Sequence, residues 1–290
     1  MYAVIGGDKR NIALAEIIFR KGKDIKLFGF SGMNLPFMCK NFSETVGKAR
    51  YIIGPTPCSL GGGDLNAPFY DESLYVEDLF REMKPGQVFI AGFIKPEVKL
   101  LAQDYGIEII DMLEREELLI LNAIPTAEGA IKIAIEETEI TLHNSRTVVI
   151  GYGRIGTVLS RMLSGMGAKV SVVTNTAHAA AAAESAAHEV IPFEEMEKAL
   201  PQADIIFNTV PQIILDETNL PKVKKSTLII DLSSSPNGVD ASAARKLGVK
   251  TLFANSLPGK TAPITTAKYI YDTIERIVSE TERGADKDEK

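Results

Sequence analysis

The most specific chemical spacing in the 290-residue chain is a glycine triplet, Gly151, Gly153 and Gly156, in the pattern G-x-G-x-x-G. It lies in TVVIGYGRIGTVLSRMLSGMGAKVSVVTN, where a β-branched run at 147–150 precedes it, a helical pattern covers 157–166 and a second apolar run occupies 170–173. Strand, tight turn, helix and strand in that order turn a weak triplet into a dinucleotide fingerprint. Gly151 lets the chain turn, Gly153 keeps side chains away from a pyrophosphate, and Gly156 lets the helix approach the strands. The phosphates would meet N–H groups and the positive end of a helix starting near Arg154, which adds Tyr152, Arg154 and Ile155 to the candidate cofactor-binding residues. The plain alternative is a Rossmann-like unit that binds another nucleotide, or none.

An NAD site usually offers an acid to the ribose hydroxyls at the end of the second strand. Here that strand ends Thr174-Asn175-Thr176, and the next acid is Glu184. With no carboxylate to repel a 2′-phosphate, NADP is expected over NAD, and NAD stays open because no arginine stands there either. Two further strands, at 204–208 and 226–231, would deliver Asn208-Thr209-Val210-Pro211 and Ser233 to the same crevice.

Other polar residues carry less specific signals. Asp8, Lys9 and Arg10 follow a first strand and reach the crevice of a parallel sheet, or simply solvate a turn. Thr126 and Glu128 follow Pro125 in the first turn of a long helix expected to run to Glu139, where they face an interdomain cleft or cap the helix. Lys260 and Thr261 follow the last strand, at 250–253. The Gly- and Pro-rich stretch PTPCSLGGGDLNAPFYDES reads as a long substrate loop without secondary structure, with Thr56, Ser59, Asp64 and Asn66 as polar contacts. His178 and His188, ten apart with no fitting third ligand, make no metal site and read as surface or satisfied residues, and His143 reads as structural. No metal, and no EF-hand-like calcium loop, is expected.

Strands at 1–5, 25–29, 50–54, 87–91 and 107–110 alternate with helices at 11–19, 75–83 and 96–104. In the first of these helices Ile12, Ala15, Ile18 and Phe19 are expected on one side. The fold class is therefore α/β: two Rossmann-like parallel-sheet domains joined by an interdomain helix, with the C-terminal helix returning to the first domain. Residues 1–125 plus 262–290 form a flavodoxin- or Rossmann-like substrate domain, and 126–261 form the NAD(P)-binding domain with the linker helix. The alanine-rich stretch 177–188 is helical by composition, the last helix covers 264–278, and the tail GADKDEK is expected to fray.

With 45% hydrophobic and 24% charged residues the chain can bury a core, and a formal charge of −6 gives no drive toward nucleic acid or an anionic membrane. No signal peptide or membrane span is read in it. The two cysteines, Cys39 and Cys58, suggest buried or incidental thiols and a cytoplasmic location.

The pieces NAIPTAEGAI (122–131), VVIGYGRIGTVLSRML (148–163), IIFNTVP (205–211), LIIDLSSSPNG (228–238) and SLPGKTAP (256–263), with the GGDKR opening, resemble the A-subunit family of bacterial dipicolinate synthase over nearly the whole chain. That resemblance implies NADP-linked oxidation of a dihydrodipicolinate-type heterocycle to pyridine-2,6-dicarboxylate, a small anionic dicarboxylate made in the mother cell of sporulating bacteria. It also implies a fold near the two-domain 2-hydroxyacid and alanine dehydrogenases, and a separate, flavoprotein-like B subunit. Relative to the family, Asn175 stands where an arginine would suit a 2′-phosphate, Ser235 stands where another arginine is common, and Lys260 adds a positive charge. For that chemistry Lys260, Thr261 and Arg10 would hold carboxylates, while Thr126 and Glu128 approach the ring, with Glu128 as candidate base. A homo-oligomer is compatible with the alanine-rich helix. The rivals are another NAD(P)-dependent amino- or hydroxy-acid dehydrogenase and a non-catalytic nucleotide-sensing protein.

Overall fold

Short apolar runs such as YAVI and VFIA, bounded by glycine and by charged turns, are too short for helices and too uniformly apolar for a half-exposed sheet. Strands of this kind are buried on both faces of a parallel sheet. The computed structural model describes residues 1–61 and 63–288, with side chains through Arg283, and divides them into two units, Met1–Leu119 with Ala262–Lys290, and Ile120–Thr261.

The first unit contains β1 (Tyr2–Ile5), α1 (Lys9–Arg20), β2 (Ile25–Phe28), α2 (Phe42–Gly47), β3 (Tyr51–Ile53), β4 (Ser59–Gly61), β5 (Asp64–Leu65), α3 (Val76–Glu82), β6 (Val88–Ala91), α4 (Pro96–Asp104) and β7 (Glu108–Asp111). Five strands pair in parallel in the order β2-β1-β3-β6-β7, the flavodoxin-like winding with its switch point between β1 and β3. The glycine-rich loop after β3 is not free of structure, because β4 and β5 pair antiparallel within it. α1 buries Leu14, Ala15 and Ile18, whereas Phe19, expected inward, is 47% exposed and only tilts against Phe37.

α5 (Glu116–Glu137) begins in the first unit and continues into the second. Pro125, expected to open this helix, instead lies inside it. An interior proline costs about 3 kcal/mol through a lost hydrogen bond and a clash. Here the burial of Leu118, Ala123, Ala127, Ala130 and Ala134 along the helix outweighs that cost. α5 is long and apolar enough to cross a membrane, with mean hydropathy 1.5, but half of that window is buried inside the fold, as in a core helix.

The second unit continues with β8 (Arg146–Ile150), α6 (Arg154–Gly165), β9 (Lys169–Thr174), α7 (Ala177–Ser185), β10 (Glu189–Pro192), β11 (Ile205–Asn208), β12 (Leu228–Asp231), α8 (Ala241–Leu247), β13 (Lys250–Phe253) and α9 (Leu257–Thr261). Its strands are parallel in the order β10-β9-β8-β11-β12-β13, the Rossmann winding. β10 is not among the strands expected from the sequence. As an edge strand it is exposed at both ends and only half-buried at Val190 and Ile191, so it lacks the apolar run that marks its neighbours.

α10 (Pro263–Asp288) returns to the first unit and packs on α1. Ile270, Ile274 and Ile277 enter the core beside Leu14 and Ile18. Glu275 fastens it, accepting from the Tyr2 hydroxyl at 2.9 Å and pairing with Lys23. Burial and this hydrogen bond push Tyr2 up to about 12. Burial opposes the charge on Lys23, but Glu275 and Tyr2 prevail and hold it at about 12 as well. The helix extends through Asp288, beyond the start of the tail expected to fray, whose last two residues lie outside the described residues.

Candidate functional site

The turn between β8 and α6 is shaped by collisions that only glycine avoids. Gly151 has φ +91°, and a Cβ there would strike the hydroxyl of Thr209, which itself donates to the Ile150 carbonyl at 2.9 Å. A Cβ on Gly156 would run into the Gly151 carbonyl. Gly153 differs, because a Cβ built on it meets nothing within 4 Å, and α6 starts there without a side-chain cap. Open space over a helix N-terminus that no side chain caps is the room and donor set that a pyrophosphate fits.

From this turn a groove of about 740 Å³ extends past the ends of β9 and β11, lined by Tyr152, Thr174, Asn175, Thr176, His178, residues 209–214 and Asp216. Thr174 is buried, and Asn175 and His178 are exposed. The Thr176 hydroxyl accepts from Ala179 N–H at 3.2 Å and so caps α7. Asp216 is the acid in the lining, and hydrogen bonds first from the Thr218 hydroxyl and then from its N–H hold it below the usual carboxylate range.

Beneath the crevice lies a buried carboxylate that the sequence patterns do not single out. Asp231, 1% exposed, ends β12 and accepts from Asn208 Nδ2 at 2.9 Å, Ser233 N–H at 3.0 Å, Ser233 Oγ at 2.7 Å, Gly238 N–H at 2.8 Å and Val239 N–H at 3.2 Å. Asn208, fully buried, also donates to the Val210 carbonyl at 3.0 Å and accepts from Val210 N–H at 3.2 Å. The side chains of Asn208 and Ser233 thus shape the loops that expose Thr209, Val210 and Pro211. The one sequence signal for Asp231 is its place as an acid closing an otherwise apolar strand.

A second group joins α5 to α9 within the same unit. Gly129 sits where a Cβ would meet Thr261 Oγ1 and Leu257, so α9 lies directly on α5 one residue from Glu128. Glu128 is exposed, and Thr126, 8% exposed, donates its hydroxyl to the Asn122 carbonyl at 2.7 Å. Since both lie in mid-helix, neither caps α5. Lys260 is exposed and donates to the Asn255 carbonyl at 3.0 Å.

Arg10 lies in the first unit and is 6% exposed. Its guanidinium grips Asp8 through Nε at 3.0 Å and NH2 at 2.9 Å and also donates to the Thr56 carbonyl. Within the glycine-rich loop, Ser59 and Asn66 are buried, and Asn66 donates to the Pro57 carbonyl at 3.2 Å, so Asn66 holds the loop itself. Nearby, Phe93 is 57% exposed with φ +53°, an unusual conformation for a bulky residue, held by Asp111 accepting from Phe93 N–H at 3.0 Å and Ile94 N–H at 2.7 Å. Cys58 is buried, which pushes its thiol up to about 12, and Cys39 is half-buried.

His188 is neither a surface residue nor a satisfied one. It is 8% exposed, its Nδ1 is 3.3 Å from Ser164 Oγ, its Nε2 has no hydrogen-bond partner, and burial lowers its pKa. Its ring meets Tyr152 edge-on at 5.9 Å. Among the described residues no group of three or more His, Cys, Asp or Glu side chains is gathered as a metal site.

Two family models match the chain. Residues 1–113 match the N-terminal domain of the dipicolinate synthase A-subunit, and residues 126–279 match the NAD-binding domain of D-isomer-specific 2-hydroxyacid dehydrogenases. The dipicolinate synthase A-subunit of Bacillus subtilis is 31% identical over 286 residues, covering 96% of this chain and 95% of the relative. The crystal structure of the dipicolinate synthase A-subunit from Bacillus halodurans superposes with a TM-score of 0.88 at 26% identity, covering 95% of this chain and 96% of that one. The crystal structure of its Bacillus subtilis counterpart gives 0.88 at 29% identity, with coverage of 98% and 97%. The second unit thus has the NAD(P)-binding oxidoreductase fold, and the chain as a whole belongs to the dipicolinate synthase A-subunit family.

Proposed function

We propose that this chain acts as the nucleotide-binding redox component of a dipicolinate synthase, oxidising a dihydrodipicolinate-type ring to pyridine-2,6-dicarboxylate with NADP⁺ in preference to NAD⁺. The observation that carries this reading is the open turn at Gly153, uncapped by any side chain, in a chain of that family. A bound nicotinamide nucleotide supplies a hydride acceptor. The protein's part is to hold the ring at the right distance, bind its two carboxylates and take the proton released as the ring becomes aromatic.

Glu128 is the proposed base, since its exposed carboxylate stands one residue from the contact of α5 with Thr261. Lys260 and Thr261 are the proposed carboxylate donors. The Lys260 ammonium has three donors and gives one to Asn255, and Thr126 keeps its oxygen lone pairs after donating to Asn122. Arg10, already paired with Asp8, is proposed as a positioning residue that holds the 55–66 loop through Thr56. In the cell we place the chain in the cytoplasm of the mother cell, working with a flavoprotein-like B subunit.

The test follows aromatic product from freshly generated dihydrodipicolinate precursor with NADP⁺ or NAD⁺, with and without the second subunit. Product formed with stoichiometric nucleotide reduction is the expected result. No product from the complete complex, despite nucleotide binding, would overturn it. The match of residues 126–279 to the 2-hydroxyacid dehydrogenase domain would then favour oxidation of a simple hydroxy acid by this chain alone.

A further inference from the structure

We propose that His178 is the residue that selects the phosphorylated cofactor, its ring donating to the ribose 2′-phosphate where related sites would use an arginine. This rests on the nucleotide site proposed above. The groove wall at the end of β9 is made by Thr174, Asn175, Thr176 and His178, and contains neither a carboxylate to bind ribose hydroxyls nor an arginine to bind phosphate. His178 is exposed on the first turn of α7 and lines that wall. Among the described residues that line the groove there is no Lys or Arg, so His178 is the lining residue able to carry positive charge.

Tyr152 lines the groove with its hydroxyl pushed up by burial, and Asp216 is held ionised by Thr218. Burial lowers the pKa of His188, whose ring meets Tyr152 edge-on. The turn Phe193–Lys198 contributes Glu194, with Glu195 and Glu197 paired to Lys198 and Lys222. Glu184 lies six residues further along α7, while Lys169 and Glu189 stand at the far ends of β9 and β10 from the groove. A neutral imidazole offers a phosphate one donor, and the imidazolium offers a charged one, roughly twice as strong.

The experiment titrates the full chain with NADP⁺ and with NAD⁺ by calorimetry. The parent should prefer NADP⁺. In His178→Gln that preference should fall about fivefold, with NAD⁺ affinity retained as proof of a folded site, and His178→Arg should restore it or raise it further. A parent-like preference in His178→Gln would overturn the inference and leave the nucleotide site standing. Failure of both nucleotides to bind the parent chain would overturn the site and this inference together.

Discussion

The first strand of each sheet passes through a glycine turn into a helix, Ile5-Gly6-Gly7-Asp8 into α1 and Ile150-Gly151-Tyr152-Gly153 into α6. In the first unit the helix end is filled by its own side chains. Asp8 accepts from Arg10 N–H at 2.9 Å, Asn11 reaches back to Asp8 N–H at 3.3 Å, and a Cβ on Gly7 would land on the Asn11 side chain. In the second unit glycines occupy both capping positions, Gly153 at the N-cap and Gly156 three residues on, and the space above is open. The capping box makes one turn a fixed structural element, whereas the other keeps the open donors on which the proposed nucleotide site rests. A shared winding therefore does not make a shared site, and on this proposal two side chains decide which turn can take phosphate.

Exchanging those side chains should break the distinction. Gly153→Asp gives α6 the cap of α1 and puts a carboxylate in the phosphate seat. NADP⁺ affinity should fall about a thousandfold, about 4 kcal/mol by titration, while the melting temperature holds or rises slightly because nothing crowds the new side chain. Asp231→Ala tests whether the second crevice is held from below. Five donated hydrogen bonds lose their acceptor, and chemical unfolding should show a loss of about 3 kcal/mol. Asp8→Ala removes the first unit's cap and leaves the buried Arg10 without its carboxylate partner, so stability should drop by about 2 kcal/mol while NADP⁺ affinity stays unchanged.

The smallest effects are in pH. Tyr2 and Lys23 both have pKa values raised to about 12 from 10.0 and 10.5, so what they contribute to the first unit is fully present below pH 10 and lost as pH rises through 12. Glu275→Gln should make that alkaline loss shallower in unfolding measured across the range. In the second unit His188 is lowered, so its contribution is present above the ordinary histidine range and lost as pH falls through its folded value. His188→Gln should flatten the acid side.

Much of the architecture was legible because buried parallel strands must be apolar throughout, and runs such as YII and LIID can be little else. β10 escaped because an edge strand is free of that demand, and the continuity of α5 escaped because local rules make Pro125 a helix start while packing of its alanines carries the helix across it. At the candidate site the glycines were legible since each answers a backbone collision or keeps a helix end open. Asp231 and His188 were not, because their importance comes from partners distant in sequence: Asn208 and Gly238 for one, Ser164 and Tyr152 for the other. His178 reads as an ordinary surface residue until the groove beside it is visible.

The most direct test of the contrast between the two turns is a crystal structure of the full chain with NADP⁺. The pyrophosphate should lie over Gly153 and the first turn of α6, with the adenosine end in the groove beside Asn175 and His178, and no nucleotide on the Asp8 turn. A nucleotide seated at Asp8, or absent from Gly153 at saturating concentration, would contradict the account.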